Sequence, residues 1–170
     1  KIETDIQKIK KLSARRDDDN WKFRAFLKAS PMGSKKLDSV VHRHCQEVTS
    51  AIDCTKCGNC CREALPALSP LDIKRLATGL KLTEEQVHQR YLQPGDKPNS
   101  IEFNAKPCPF LSENECTVYD FRPDVCKSYP HLHKPDSVLH LIGIVSNCSI
   151  CPIVFNVYER LKAELWGIEP

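Results

Sequence analysis

Apolar residues recur at helical spacing over most of this 170-residue chain and alternate at strand spacing only in short stretches. Ile2, Ile6 and Ile9, then Trp21, Phe23, Phe26 and Leu27, flank the run Arg15-Arg16-Asp17-Asp18-Asp19 and predict two short helices joined at that charged segment. Pro31-Met-Gly-Ser34 breaks the pattern. From Leu37 the apolar positions Val40, Val41, Cys45, Val48 and Ile52 trace one helix face that leads directly into Cys54. Cys45 lies on that face and reads as a small buried hydrophobe, with His42 and His44 at the surface or partly packed.

Further on, Ser69-Pro70-Leu-Asp72 has serine at a helix cap, proline at the first helical position and an acid three residues after the cap. It predicts a helix through Ile73, Leu76 and Ala77 that stops near Gly79. Thr83-Glu-Glu-Gln86 repeats the signal for a second helix through Val87 and Tyr91. Ile101-Glu-Phe103 and Cys116-Thr-Val-Tyr119 predict two short strands that pair across Ser112-Glu-Asn114. Asp120 then caps a short helix containing Arg122, Pro123 and Cys126. The branched segment Ser137–Ile144 predicts another strand. Pro152 opens a last helix through Val154, Val157, Tyr158, Leu161 and Leu165 that packs against the first ones. The fold class expected is mainly α with a few short β-strands, as a small single domain with irregular loops.

Composition changes this picture at one residue type. A formal charge of +3 from 25 basic and 22 acidic residues is too small to imply a nucleic-acid partner, and no stretch approaches a membrane span. The 10 cysteines, about 6% of the chain, fall below the roughly 8–10% of a short secreted disulfide scaffold. A chain of this length can build a core without covalent staples, and residues 1–20 hold no apolar stretch of signal-peptide length. A reducing, cytoplasmic setting with metal-binding thiols is therefore expected over disulfides.

Four of those thiols occupy eight residues, Cys54-Thr-Lys-Cys57-Gly-Asn-Cys60-Cys61. Two-residue spacing lets both sulfurs of a pair turn towards one ion, and Gly58 tolerates the positive φ that such a turn needs. Neighbouring side chains usually diverge, so one member of the Cys60-Cys61 pair is expected to face a second centre. Cys108, Cys116, Cys126, Cys148 and Cys151 complete the candidate ligand set, Cys148 and Cys151 again two residues apart. The ladder Cys54/Cys57/Cys60 with a remote Cys-Pro, at Cys108-Pro109 or Cys151-Pro152, resembles the run that closes a four-iron cluster. Cys54/Cys57 with Cys148/Cys151 would instead make a four-thiolate zinc site. The cofactor expectation is an iron-sulfur cluster, 4Fe-4S ahead of Zn2+. His131 and His133 are close enough in sequence to Cys126 to reach a site it joins, though solvent-facing loop positions suit them better. Arg122 with Tyr119 is expected to anchor the loops around the thiolates by hydrogen bonds.

Cys54-x2-Cys57-x2-Cys60-Cys61, Pro107-Cys108-Pro-Phe-Leu111 and Cys116-x-Val-Tyr119-x2-Arg122-Pro123-x2-Cys126-x2-Tyr-Pro130 together resemble the CxxCxxCC family of zinc- or iron-chelating domains. The domain is similar to one in bacterial flagellin lysine N-methylases. The likeness covers roughly residues 50–152 and implies metal chelation by those cysteines. Lys127 stands where the family often has arginine, and no methyltransferase segment is evident. The expected organisation is an N-terminal helical segment (1–52), a cysteine-rich metal-chelating core (53–152) and a C-terminal helix packed on the same domain (153–170). The expected function is metal binding with a structural or redox role, and no enzyme activity of the chain by itself. Two other readings stay open: a component of a protein-modifying or electron-transfer enzyme, and a metal-stapled module that docks a protein partner through the Ser69–Tyr91 helices or the terminal helices. No nucleic acid and no membrane are expected as partners.

Overall fold

A computed structural model describes residues 1–167; the last three positions of the expected C-terminal segment lie outside the described residues. In chain order the elements are α1 (Ile6–Arg15), α2 (Asp17–Ala29), α3 (Ser34–Thr49), α4 (Asn59–Glu63), β1 (Ala67–Leu68), α5 (Pro70–Leu80), α6 (Glu84–Tyr91), β2 (Leu92–Pro94), β3 (Ile101–Phe103), β4 (Leu111–Ser112), β5 (Glu115–Cys116), α7 (Asp124–Ser128), α8 (Leu141–Asn147) and α9 (Pro152–Trp166). Short 3-10 turns cover Cys54–Lys56, Tyr119–Phe121 and Ser137–His140. The class is mainly helical with a few short strands, as expected. The chain forms two compact units, residues 1–53 with 130–170 and residues 54–129.

The first unit is a helical bundle. Asp5 caps α1 by accepting from the amides of Gln7 and Lys8 at 2.8 and 3.1 Å. The charged run that joins the first two helices places Asp17, Asp18 and Asp19 in the first turn of α2, where they complement the helix dipole. Helix α9 is buried almost all round, from Pro152 to Tyr158 and again at Leu161. Its Tyr158 meets Phe23 edge-on at 5.3 Å and donates its hydroxyl to the Asn20 carbonyl at 2.9 Å. Lys162 is buried because Asn20 Oδ1, at 2.9 Å, and Glu159 both take its ammonium.

Two expectations change in this unit. On α3 the buried positions are Leu37, Val41, His44 and Val48, so the inward face is rotated by one residue from Cys45. His44 goes inside because Glu164 meets its Nε2 at 2.7 Å, and Cys45 stays half-buried against Thr49. Ser137–Ile144 is not a strand. Asp38 accepts from the amides of Asp136 and Ser137, both at 2.8 Å, and the chain turns there into the 3-10 turn and α8. The buried residues Leu141, Ile144 and Val145 then follow helical spacing.

The second unit packs α5 and α6 against a three-stranded antiparallel sheet of order β1-β3-β2. Ala67 pairs with Glu102 and Leu92 with Phe103. Both helices open with the expected capping boxes, Ser69 with Asp72 and Thr83 with Gln86. Their core consists of Leu68, Ile73, Leu76, Ala77, Val87, Leu92, Phe103, Phe110 and Val118, with Cys108 and Cys116 packed on its margin. The pairing expected between Ile101–Phe103 and Cys116–Tyr119 does not occur. β3 is taken up by β1 and β2, and Cys116 instead faces Leu111 in the β4–β5 hairpin. Nor does one capped helix carry Arg122 and Cys126. Pro123 cannot supply an N–H inside a helix, and it separates the Tyr119–Phe121 turn from α7.

Candidate metal centre

The cysteine run folds as a 3-10 turn, a left-handed residue and one short helix. Cys57 N–H closes the turn on the Cys54 carbonyl at 3.3 Å, and Gly58 takes φ +59°, the conformation for which glycine was expected there. Cys60 and Cys61 then lie in α4, where the Cys61 carbonyl accepts from Cys108 N–H at 2.8 Å. That bond joins the run to the Pro107-Cys108-Pro109 loop. The expected divergence of the adjacent pair is not observed: their Sγ atoms are 4.0 Å apart. A tetrahedral ion with sulfur ligands at about 2.3 Å separates them by about 3.8 Å, so this pair already has the spacing of two ligands of one ion.

A second loop system is tied to the start of α5. Asp72 accepts from Ser69 N–H at 2.9 Å and from Asp124 N–H at 2.8 Å. Arg75 pairs with both Asp72 and Asp124, the latter at 2.9 Å, and reaches the Arg122 carbonyl at 3.2 Å. This network fixes the start of α7 and hence Cys126. Arg122 stacks on Tyr119, its guanidinium carbon 3.6 Å from the ring centre. The expected association is present, and its form is cation–π.

The thiols of Cys61, Cys108, Cys116 and Cys126 act on one another electrostatically. The hydrogen bond with Cys60, opposed by partial burial and assisted by Arg62 and Arg122, brings the Cys61 thiol down to about 7. Burial pushes Cys108 up to about 11 and Cys126 up to about 12, with charge on the neighbouring sulfurs adding to both. Cys116 is raised for the same reasons and is eased by Arg122. Such a group resists carrying several negative charges without a cation. A bound metal would supply that charge, and its binding would release protons.

Soft sulfur donors in one neighbourhood fit zinc or iron. Among the described residues no three His, Cys, Asp or Glu side chains already stand at ion-holding geometry, so beyond the Cys60–Cys61 pair the sulfurs must move together around an ion. Beside Cys116 lies an open cleft of about 390 Å3 lined by Thr55, Lys56 and residues 112–117.

Cys54 is exposed and Cys57 half-buried in the same unit. Cys148 and Cys151 belong to the first unit, as do His131 and His133. Cys148 is only 2% exposed, its thiol donating to the Ile144 carbonyl at 3.4 Å and its carbonyl accepting from Ser13 at 2.9 Å. Burial pushes that thiol far up. Two contributors escaped the sequence reading. Arg75 was hidden because, besides Asp72 on its own helix, the partners that tie it to the Cys126 loop lie about fifty residues away, whereas Arg62 was signalled only by following Cys61.

The family model CxxCxxCC, described as "Putative zinc- or iron-chelating domain", matches residues 53–152. No curated protein and no solved structure matches the chain.

Proposed function

Because the chain belongs to the CxxCxxCC family, we propose that it binds zinc or iron through the thiolates of its second unit, in a structural or redox role. The observation that carries this reading is the 4.0 Å approach of Cys60 and Cys61 within the group formed with Cys108, Cys116 and Cys126. That spacing favours a single tetrahedral ion, held by Cys60, Cys61 and two of the other three. Cys54 and Cys57 are close in sequence and would serve as exchange partners or ligands of a second ion. Cys148 and Cys151 form a separate pair, of which Cys148 is in use as core.

A second reading is supported by the ladder Cys54/Cys57/Cys60 with Cys108-Pro109, which has the spacing of a four-iron cluster run. Arg62 and Arg122 suit either, since both place positive charge beside the Cys61 sulfur. The role proposed is chelation. Among the described residues no single helix is long and apolar enough to cross a membrane; only the bent pair Ser137–Asn147 and Pro152–Trp166, at 118°, passes that test together.

Anaerobic purification followed by elemental and acid-labile sulfide analysis tests both readings. Stoichiometric zinc or iron without sulfide supports the single ion. Iron with equimolar sulfide and a brown colour supports the cluster, and protein free of both metals refutes chelation.

A further inference from the structure

The cysteine run has little local structure to hold it. α4 spans five residues, the glycine at its N-cap, Gly58, has no side chain to cap it, and a helix so short is not stable by itself. The β4–β5 hairpin that carries Cys116 pairs only two residues on each side. Yet both must keep their sulfurs in register across about fifty residues of intervening chain.

The Arg62 side chain joins them. Arg62 Nη1 donates to the Cys57 carbonyl at 3.2 Å, and Nη2 donates to the Glu113 carbonyl and to Asn114 Oδ1. A single planar guanidinium thus takes acceptors from the cysteine turn and from the tip of the hairpin. The backbones touch at the same point. A Cβ built on Gly58 would lie 3.0 Å from the Asn114 carbonyl oxygen, 3.1 Å from Asn114 Cα and 3.0 Å from Arg62 Nη1. The hairpin tip is shaped to meet it, with Glu113 at φ +54°.

We propose that Arg62 is a positioning residue for the thiolate site, a clasp that docks the Cys116 hairpin on the Cys57–Cys61 turn before any metal is present. The inference rests on the chelation reading and specifies how this chain prepares it. Lysine cannot substitute, because one ammonium on a flexible stem does not span acceptors on two segments with fixed geometry. Asn114→Asp keeps the acceptor and strengthens it, and so leaves the clasp in place.

The experiment uses the full chain under reductant. Amide hydrogen exchange of the 111–117 peptide is measured on metal-free wild type, R62A, R62K and N114D, and Zn2+ affinity is measured on the same proteins by competition with a chromogenic chelator. In R62A and R62K, hairpin exchange accelerates about tenfold or more while the α5 amides keep wild-type protection. Zn2+ affinity falls about 10–100-fold, as for loss of other groups that orient metal ligands. N114D protects the hairpin at least as well as wild type and binds Zn2+ no more weakly. Unchanged hairpin exchange in R62A and R62K beside a metal-binding wild type overturns the clasp alone. Accelerated exchange with undiminished affinity makes Arg62 a structural residue and overturns its positioning role. Wild type that binds no Zn2+ and carries no iron overturns the chelation reading itself. Should R62A fail to fold, N114A removes one arm only and gives a smaller change of the same sign; no change in either readout overturns the proposal.

Discussion

Gly58→Ala concentrates the local constraints of the cysteine turn in one methyl group. Alanine at φ +59° costs about 1–2 kcal/mol from its own backbone sterics. Its methyl would press at 3.0–3.1 Å on the Asn114 backbone, which cannot rotate away as a side-chain tip can. Relieving that overlap costs about 1–3 kcal/mol more. The sum, about 2–5 kcal/mol, is a fall in Tm on the order of 10 °C for a chain of this size. The assay is thermal and urea unfolding of the metal-free protein under reductant, followed by circular dichroism. Gly143→Ala is the control with the opposite sign. That glycine lies inside α8 with nothing within 4 Å of a built Cβ, and alanine there gains up to about 1 kcal/mol of helix propensity. A Gly58→Ala protein within about 0.5 kcal/mol of wild type would refute both the left-handed turn and the close approach of the hairpin.

Asp72→Asn loses a carboxylate whose burial opposes ionisation, yet which the amides of Ser69 and Asp124, the Ser69 hydroxyl and Arg75 hold below the ordinary 3.8. A depressed carboxylate stabilises the fold above its ordinary range and loses that contribution as pH falls through the folded value. The variant should be about 2–3 kcal/mol less stable than wild type at neutral pH, with the gap closing in acid below the ordinary carboxylate range. Urea unfolding of the metal-free proteins across pH checks it, and a constant gap counts against the network. Cys148→Ala removes a thiol packed in the helical unit and should cost about 1–2 kcal/mol while leaving the metal content unchanged. Elemental analysis of the folded variant decides, since loss of metal would make Cys148 a ligand.

Residues that announce themselves locally were legible in the sequence. Ser69-Pro70-Leu-Asp72 and Thr83–Gln86 carry their capping chemistry within four residues, and both boxes form as read. Gly58 was legible because a two-residue cysteine turn needs positive φ. Pairing and facing were not, because they depend on partners distant in sequence. Ser137–Ile144 has strand-forming composition, but Asp38, about a hundred residues earlier, accepts from the amides of Asp136 and Ser137 where the helical turn begins. His44 replaced Cys45 inside because Glu164 satisfies its ring. Ile101–Phe103 could pair with several short apolar segments, and only the packed core selects β1 and β2. At the site, the residue types were readable from spacing. The meeting of Cys60 with Cys61 and the reach of Arg62 to Asn114 depend on rotamers and on a hairpin turn that spacing does not encode.

The central claim is that the thiols of residues 54–129 bind zinc or iron. It is tested most directly by the zinc and iron content per chain of anaerobically purified wild type and Cys61→Ser, both verified as folded by circular dichroism. The account predicts at least one metal equivalent in wild type and its loss in Cys61→Ser, whose sulfur lies 4.0 Å from Cys60 and within the electrostatic reach of Cys108, Cys116 and Cys126. Equal metal in both proteins, or none in wild type, would contradict it.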